Sequence, residues 1–167
     1  MRLIKFIIIF LFLHSFAYAD KNMKIGSKGK ESEVSRVIKV VMYDNYYEPS
    51  SFQIKDGETI KFEVENGGML VHEFNIANKM MHKKHQPEML KMVENEILLA
   101  DSIDKKKMKK MAKMDKAMGH SHSNSVLLEP KQKGEIIWKF DNAFNIEVAW
   151  NVPGHYQVGM IAKVDIN

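Results

Sequence analysis

Cysteine is absent from all 167 residues of the chain. Without a thiol, the protein can form no disulfide, no zinc–thiolate or iron–sulfur centre and no thiol-based redox couple. The absence fits an exported protein whose folding does not depend on oxidation.

Long apolar runs are also scarce, and the longest lies at residues 6–13. Arg2 and Lys5 precede this run, and residues 17–19 form a small-x-small cleavage pattern. The pattern predicts a signal peptide over residues 1–19 and export to the periplasm of a Gram-negative cell. Because the run is about half as long as a membrane-spanning helix requires, we expect no transmembrane segment after cleavage; an uncleaved anchor is the alternative.

The chain has only a small excess of positive charge, with a formal net charge of +4. This charge is too small to predict a nucleic-acid partner. Nucleophile-elbow, phosphate-loop and His-Glu-x-x-His patterns are missing as well, so we expect no enzyme. The length after the signal suits a single domain, which we expect to be a monomer.

Alternating apolar residues dominate two parts of the chain. Ile60, Phe62 and Val64 alternate with charged residues, and further alternating segments lie at 71–76 and 145–151. Together with Gly, Pro and Asn turns, this texture predicts eight short strands in an all-β, antiparallel Greek-key sandwich over residues 34–167. Residues 20–33 are polar and are predicted to form a flexible leader.

A methionine- and histidine-rich segment at about 79–125 interrupts the strands with helical texture. Pro87 is predicted to lie in a first helical turn, and Asp101 and Ser102 to cap a second helix that ends at Gly119. Seven lysines between 105 and 116 make the second helix basic. A solvated face is the simplest interpretation, with contact to an anionic membrane or an acidic partner as the alternative.

Four stretches of sequence resemble the cupredoxins, in particular the exported plastocyanin- and azurin-like copper-binding proteins associated with copper tolerance. They are residues 47–49, 56–60, 71–74 and 151–160, and the last, with Pro-Gly-His-Tyr ending in Gly-Met, is the most specific. The resemblance implies copper ligands at His72, His155 and Met160. Trp150 stands where the family has its ligand cysteine.

The spacing of these residues makes physical sense apart from the resemblance. Four residues separate Trp150 from His155 and four separate His155 from Met160. The turn at 153–154 would let both strand ends converge with His72. Imidazole and thioether without thiolate suit copper(I), and silver(I) is equally soft.

Each of these residues also has an ordinary structural explanation. A single histidine at a strand end is usually a surface or core residue, and a single methionine such as Met160 usually fills a core. Trp150 either fills space on an inward face or covers the metal with its ring, since an indole face attracts cations.

The helical segment supplies candidates for a second metal site, because thioethers three or four residues apart share a helix face. A methionine stripe is equally typical of a packing face. The candidates are Met80, Met81, His82, His85, Met89, Met92, Met108, Met111, Met114, Met118, His120 and His122.

The sequence therefore predicts an exported copper-binding protein that holds copper(I) for buffering, delivery or resistance. Its expected partners are the copper ion and a copper exporter or copper-receiving protein. Two alternatives stay open: a divergent electron carrier, which the missing thiolate disfavours, and a metal-free interaction module on the same fold.

Overall fold

The computed structural model describes residues 24–167, so the predicted signal peptide at 1–19 lies outside the described residues. Within this range the chain forms two five-stranded sheets and two α-helices. The strands are β1 Ser27–Lys28, β2 Arg36–Met42, β3 Tyr47–Glu48, β4 Ser51–Ile54, β5 Thr59–Asn66, β6 His72–Asn78, β7 Ser125–Leu128, β8 Lys133–Lys139, β9 Ile146–Ala149 and β10 Ile161–Ile166. The helices are α1 Lys79–Glu94 and α2 Lys105–Met111.

The sheets have the strand orders β1-β8-β5-β2-β3 and β4-β10-β9-β6-β7. Their facing sides enclose one core, which confirms the predicted sandwich. Ile60, Phe62 and Val64 on β5 are all buried in this core, as their alternation predicts. Trp150 and Met160 belong to the same core.

The prediction of purely antiparallel sheets was wrong at two pairings. β2 runs parallel to β5, and β4 runs parallel to β10. Parallel neighbours need a crossover between them, and the chain makes it by entering the second sheet at β4 before it returns at β5. Local alternation carries no information about this crossover.

The described part of the predicted flexible leader, from Lys24 onward, is packed against the sandwich. β1 pairs with β8, and Ile25 is buried beside it. The indole Nε1–H of Trp138 donates to the Ile25 carbonyl at 2.7 Å. The leader prediction is corrected here, because one apolar residue and one backbone acceptor hold this segment to the sheet.

The predicted insertion is helical, but its boundaries differ from the prediction. The Asn78 side chain caps α1 by accepting from the Met81 N–H at 2.9 Å, so Pro87 lies in the middle of the helix and not in its first turn. Asp104 caps α2, which ends at Met111, and a short 3₁₀ turn follows at Lys116–Gly119. Pro87 and Lys83, whose carbonyl the proline cannot bond, are both exposed, so water can satisfy that carbonyl.

A second apolar core lies between the insertion and the sandwich. It contains Val71, Met89, Met92, Ile97, Leu98, Ile103 and Met118. α1 also contacts β6 and β9 directly. No helix within residues 24–167 has the length and apolar character that crossing a bilayer requires.

Candidate metal centre

All four residues predicted for the main site lie at one end of the second sheet, and the rings of His72, Trp150 and His155 are neighbours there. β6 begins at His72, Trp150 directly follows β9, and Met160 directly precedes β10. The His72 and Trp150 ring centroids are 4.4 Å apart, and those of Trp150 and His155 are 3.4 Å apart. Because β10, β9 and β6 are adjacent strands, their ends deliver these residues to one place.

Asn66 and Leu70 fix the protonation of the His72 ring. His72 Nδ1 lies 3.0 Å from Asn66 Oδ1 and 2.8 Å from the Leu70 carbonyl, and both of these oxygens are acceptors. The Asn66 orientation is itself fixed, since its Nδ2 donates to two carbonyls. A neutral His72 therefore carries its proton on Nδ1 and presents a lone pair on Nε2.

The lone pair on His72 Nε2 is buried and has no hydrogen-bond partner among the described residues. The nearest charged atom is Asp44 Oδ1 at 3.5 Å, which accepts hydrogen bonds from the Met69 and Leu70 N–H groups. The buried His72 Nε2 thus faces a carboxylate oxygen of Asp44, whose side chain is 37% exposed. A proton or a cation beside them would relieve this arrangement.

The close approach of His72 to its neighbouring loop requires glycine at position 68. A Cβ at Gly68 would lie 2.6 Å from His72 Cε1 and 2.4 Å from Asp44 Oδ1. Both distances are too short for a real carbon atom, so any other residue would displace the ring or the carboxylate.

The loop between Trp150 and Met160 is closed by its own backbone. The Met160 N–H donates to the His155 carbonyl at 3.1 Å, and the Trp150 N–H donates to the Met160 carbonyl at 3.4 Å. Gly154 adopts a φ of 95°, which glycine tolerates without strain. This folding places His155 beside Trp150 and buries Met160 completely.

Two further polar atoms in this loop are buried without a partner in the described part of the chain. They are Nδ1 of His155 and the indole Nε1 of Trp150. Leaving a buried polar group unpaired costs about 1–3 kcal/mol, so natural proteins rarely collect three such atoms at one point.

Burial keeps both histidines neutral. It lowers the pKa of His72, against the opposing effects of the Leu70 carbonyl and Asp44. Burial likewise lowers the pKa of His155, against the opposing effect of the nearby Val152 and Pro153 carbonyls, neither of which forms a hydrogen bond with Nδ1. Neutral imidazole is the form that binds metals.

The methionines predicted for a second site are mostly packing residues. Met89, Met92 and Met118 lie in the second core, with Met108 and Met111 against it. Met81 packs against the sandwich core, whereas Met80 and Met114 are exposed. The packing alternative accounts for the buried members of the stripe.

The insertion's histidines divide into one separate residue and one cluster. His82 Nδ1 donates to Asn151 Oδ1 at 3.1 Å, away from the others. His85, His120 and His122 lie together, with ring centroids 5.2 to 5.3 Å apart.

Glu73 joins this cluster and was missed by the sequence reasoning. Its Oε1 lies 3.0 Å from His85 Nε2 and 2.8 Å from His120 Nε2. The available signal was strand alternation: Glu73 follows His72 on β6, so its side chain points to the opposite face, towards the insertion. Although burial opposes its ionisation, hydrogen bonds from His120 and His85 hold the pKa of Glu73 well below its usual range.

The chain matches a known protein family and a relative named for copper resistance. Sequences of the family described as "Cupredoxin-like domain" match residues 5–97, which is more than half of the chain. The chain is also 40% identical over 155 residues to the copper-resistant cuproprotein CopI of Pseudomonas aeruginosa, an alignment covering 84% of this chain and 81% of that protein.

The chain belongs to the cupredoxin-like family.

A second relative and the solved structures agree with this assignment. The copper-resistant cuproprotein CopI of Rubrivivax gelatinosus is 29% identical over 153 residues, covering 90% of this cupredoxin-like chain and 79% of the relative. Auracyanin B superposes with a TM-score of 0.58 at 11% identity, covering 87% of this chain and 99% of its own. Auracyanin of Roseiflexus castenholzii gives a TM-score of 0.55 at 16% identity, with coverages of 80% and 98%. At these identities the structural likeness shows the cupredoxin fold alone.

Proposed function

We propose that the protein is an exported copper(I)-binding protein that protects cells from copper by holding the ion. The observation that carries this proposal is a pair of buried imidazole nitrogens without hydrogen-bond partners, His72 Nε2 and His155 Nδ1. The imidazole rings of both residues lie against the indole ring of Trp150. A soft monovalent ion would satisfy both nitrogens at once.

The donor set favours copper(I) over copper(II). We assign His72 and His155 as imidazole ligands and Met160 as a thioether ligand. Thioether and imidazole suit the reduced ion, whereas a blue-copper centre uses a thiolate that this chain lacks. Silver(I) has the same preferences and is expected to bind at the same place.

Trp150 is proposed to cover the ion with its ring. Its nitrogen carries a proton and cannot act as an ordinary ligand, but its face attracts a cation by about 2 kcal/mol when water is excluded. Trp150 is 2% exposed and its ring lies tilted against both histidine rings, so we propose that the same ring shields the site from oxidant.

Three considerations favour a resistance role. The relatives from P. aeruginosa and R. gelatinosus are both called copper-resistant cuproproteins. A site built for one oxidation state is poorly suited to electron shuttling, because cycling needs both states to be bound similarly. The signal-like residues 1–19 support a location in the periplasm, where a copper exporter or a copper-receiving protein would be its partner.

Anaerobic copper(I) titration against a competing chelator tests the proposal. The wild type is expected to take up one tight equivalent, and His155→Ala is expected to lose it. His122→Ala is the matched control, because this histidine is exposed and lies in the other cluster. If His155→Ala bound the tight equivalent as strongly as wild type, the proposed ligand set would be wrong.

A further inference from the structure

Five side chains meet where the insertion packs on the sandwich, on the opposite face of β6 from the proposed copper(I) ligand His72. We call Glu73, His85, Glu88, His120 and His122 the junction cluster. Glu73 comes from β6, His85 and Glu88 from α1, and the other two from the segment after the 3₁₀ turn. Potential ligand atoms of Glu73, His85 and His120 all lie within 4.8 Å of one another, as do those of His85, Glu88 and His122.

His85 is flanked by carboxylates on both ring nitrogens. Nε2 lies 3.0 Å from Glu73 Oε1, and Nδ1 lies 2.8 Å from Glu88 Oε2. A neutral imidazole has one proton, so it can satisfy only one of these contacts. The ring must either carry a second proton or have a cation beside one nitrogen.

The second possibility corresponds to a common arrangement at metal sites. Metal-binding histidines usually donate their other N–H to a carboxylate, which fixes the tautomer and the ring orientation. Glu88 stands at Nδ1 of His85 in this way. Nε2 is then free to bind an ion together with His120 Nε2 and Glu73 Oε1.

Glu73 is held in position for this role by residues outside the cluster. Its Oε2 accepts from the backbone N–H and the side-chain Nδ2 of Asn151, at 3.1 and 2.8 Å. Its Oε1 faces the two histidines and also accepts from Ser125 Oγ at 3.0 Å and from Asn75 Nδ2 at 2.9 Å. One oxygen is thus anchored while the other points at the imidazoles.

The third histidine lies on the solvent side of the cluster. The ring centroid of His122 lies 5.2 Å from those of both His85 and His120, and its side chain is exposed. A surface cavity lined by His85, Glu88 and His122 reaches the cluster, with Lys84 and Asn124 also at its wall. An ion could enter there without unfolding the insertion.

We propose that the junction cluster is a second metal site, which binds a divalent ion of the copper(II) or zinc(II) type. His85, His120 and Glu73 are the ligands, His122 closes the site from the solvent side, and Glu88 positions His85. Imidazole and carboxylate donors without sulfur favour these borderline ions over copper(I), and copper(II) is expected to bind more tightly than zinc(II). The proposal goes beyond the copper(I) function and does not depend on it, since the two sites share no ligand.

Titration of the purified protein with zinc(II) and copper(II) tests this site. Wild type is expected to bind one zinc(II), and its copper(II) electron paramagnetic resonance spectrum is expected to show coupling to at least two imidazole nitrogens. His120→Gln is expected to weaken both ions by more than about 100-fold, and Glu88→Gln by about 10- to 100-fold as the partner of a ligand. Tighter binding of zinc(II) than of copper(II) would support the site and assign it to zinc.

Two controls show whether a loss of binding is specific to the junction cluster. Glu94→Gln changes an exposed carboxylate on the same helix outside the cluster and is expected to leave both affinities unchanged. His155→Ala removes a proposed copper(I) ligand and is expected to leave zinc(II) binding unchanged, so failure at one site is distinguishable from failure at the other.

The surface variants decide the case if His120→Gln does not fold. His122→Gln and Glu88→Gln lie at the solvent side and are expected to fold normally. If both bound zinc(II) and copper(II) as wild type does, or if wild type bound neither ion, the junction cluster would be only a hydrogen-bond network and the proposal would be overturned.

Discussion

Trp150 combines a buried ring with an N–H group that has no acceptor among the described residues. If Trp150 only filled space, its unpaired N–H would lower the stability of the fold with no compensating gain, because an apolar ring would fill similar space without an unpaired donor. The ring face, which contacts both His72 and His155, is the part of Trp150 that we expect to matter.

Replacement of Trp150 by Phe and by Leu separates the ring from the volume. Trp150→Phe keeps an aromatic face and removes the unpaired N–H, so copper(I) affinity is expected to fall less than 10-fold. Trp150→Leu removes the face and is expected to weaken copper(I) by about 2 kcal/mol, or roughly 30-fold. Competition with a copper(I) chelator measures both, and equal losses in the two variants would reduce Trp150 to a packing residue.

Replacement of Gly68 by alanine is expected to disturb the His72 side of the proposed copper(I) site. The Cβ of Gly68→Ala would overlap His72 and Asp44, and relieving such overlap costs about 1–3 kcal/mol. We expect lower stability in urea unfolding and weaker copper(I) binding. Met69→Ala, at the exposed neighbouring position, is the control and is expected to change neither quantity. A stable Gly68→Ala variant with unchanged binding would show that the His72 ring has room to move.

Single residues also mark the limit of prediction from sequence. His72, Trp150 and His155 could be grouped in advance through the resemblance to the cupredoxins, with which turn spacing and strand ends agree. Asn66 and Asp44, which decide the tautomer and surroundings of His72, could not be grouped with it, because their contacts depend on how separate loops pack. Glu73 was within reach of strand alternation, but its histidine partners come from the insertion.

At the scale of elements, β6 is the most informative strand. His72 and Glu73 are consecutive, so they point to opposite faces, one towards the proposed copper(I) site and one towards the junction cluster. Trp150 and Asn151 repeat the pattern after β9, because Trp150 contacts His72 and Asn151 bonds to Glu73. One pair of neighbouring strands thus supports both clusters.

Helix α1 shows why a methionine stripe is ambiguous in sequence. The same spacing serves a packing face and a row of thioether ligands, and only the contacts distinguish them. In the structure Met89 and Met92 are completely buried in the second core. The true helix start was equally ambiguous, since Asn78 and Pro87 are both acceptable near an N-terminus and only Asn78 caps the helix.

Substitutions in this stripe test the packing interpretation. Met89→Leu conserves volume and is expected to cost less than about 1.5 kcal/mol while leaving copper(I) stoichiometry unchanged. Met89→Ala opens a cavity and is expected to cost about 2–5 kcal/mol. Met114→Ala, at an exposed position, is the control and is expected to stay within about 0.5 kcal/mol of wild type. Loss of a copper(I) equivalent in Met89→Leu would show that Met89 binds copper(I) and does not only pack.

The whole molecule is a sandwich with an additional packed unit on one sheet. The two-sheet architecture was predictable, because alternation and turns repeat along the chain. The two parallel pairings were not, since they arise from the route by which the chain changes sheets. The described residues before 34 join the fold through β1 and Ile25.

Copper(I) is expected to stabilise the entire domain if it binds the folded state alone. Free copper(I) at 100 times its dissociation constant should add about 2.7 kcal/mol to the free energy of unfolding. For a domain of this size that corresponds to a rise in Tm of about 5–11 °C. Anaerobic thermal unfolding of wild type should show this rise and His155→Ala should not; the same shift in both proteins would mean that copper(I) binds elsewhere.

His72 and Glu73 are consecutive residues on β6, so the backbone links the two faces of this strand directly. A ligand bound at Glu73 would act on the strand residue next to the one that carries the His72 ring. Thermodynamic reciprocity then applies: by whatever factor an ion on one face alters the other ion's affinity, the second alters the first equally. If both proposed sites bind metal and this factor differs from one, the protein's affinity for one ion would depend on the abundance of the other.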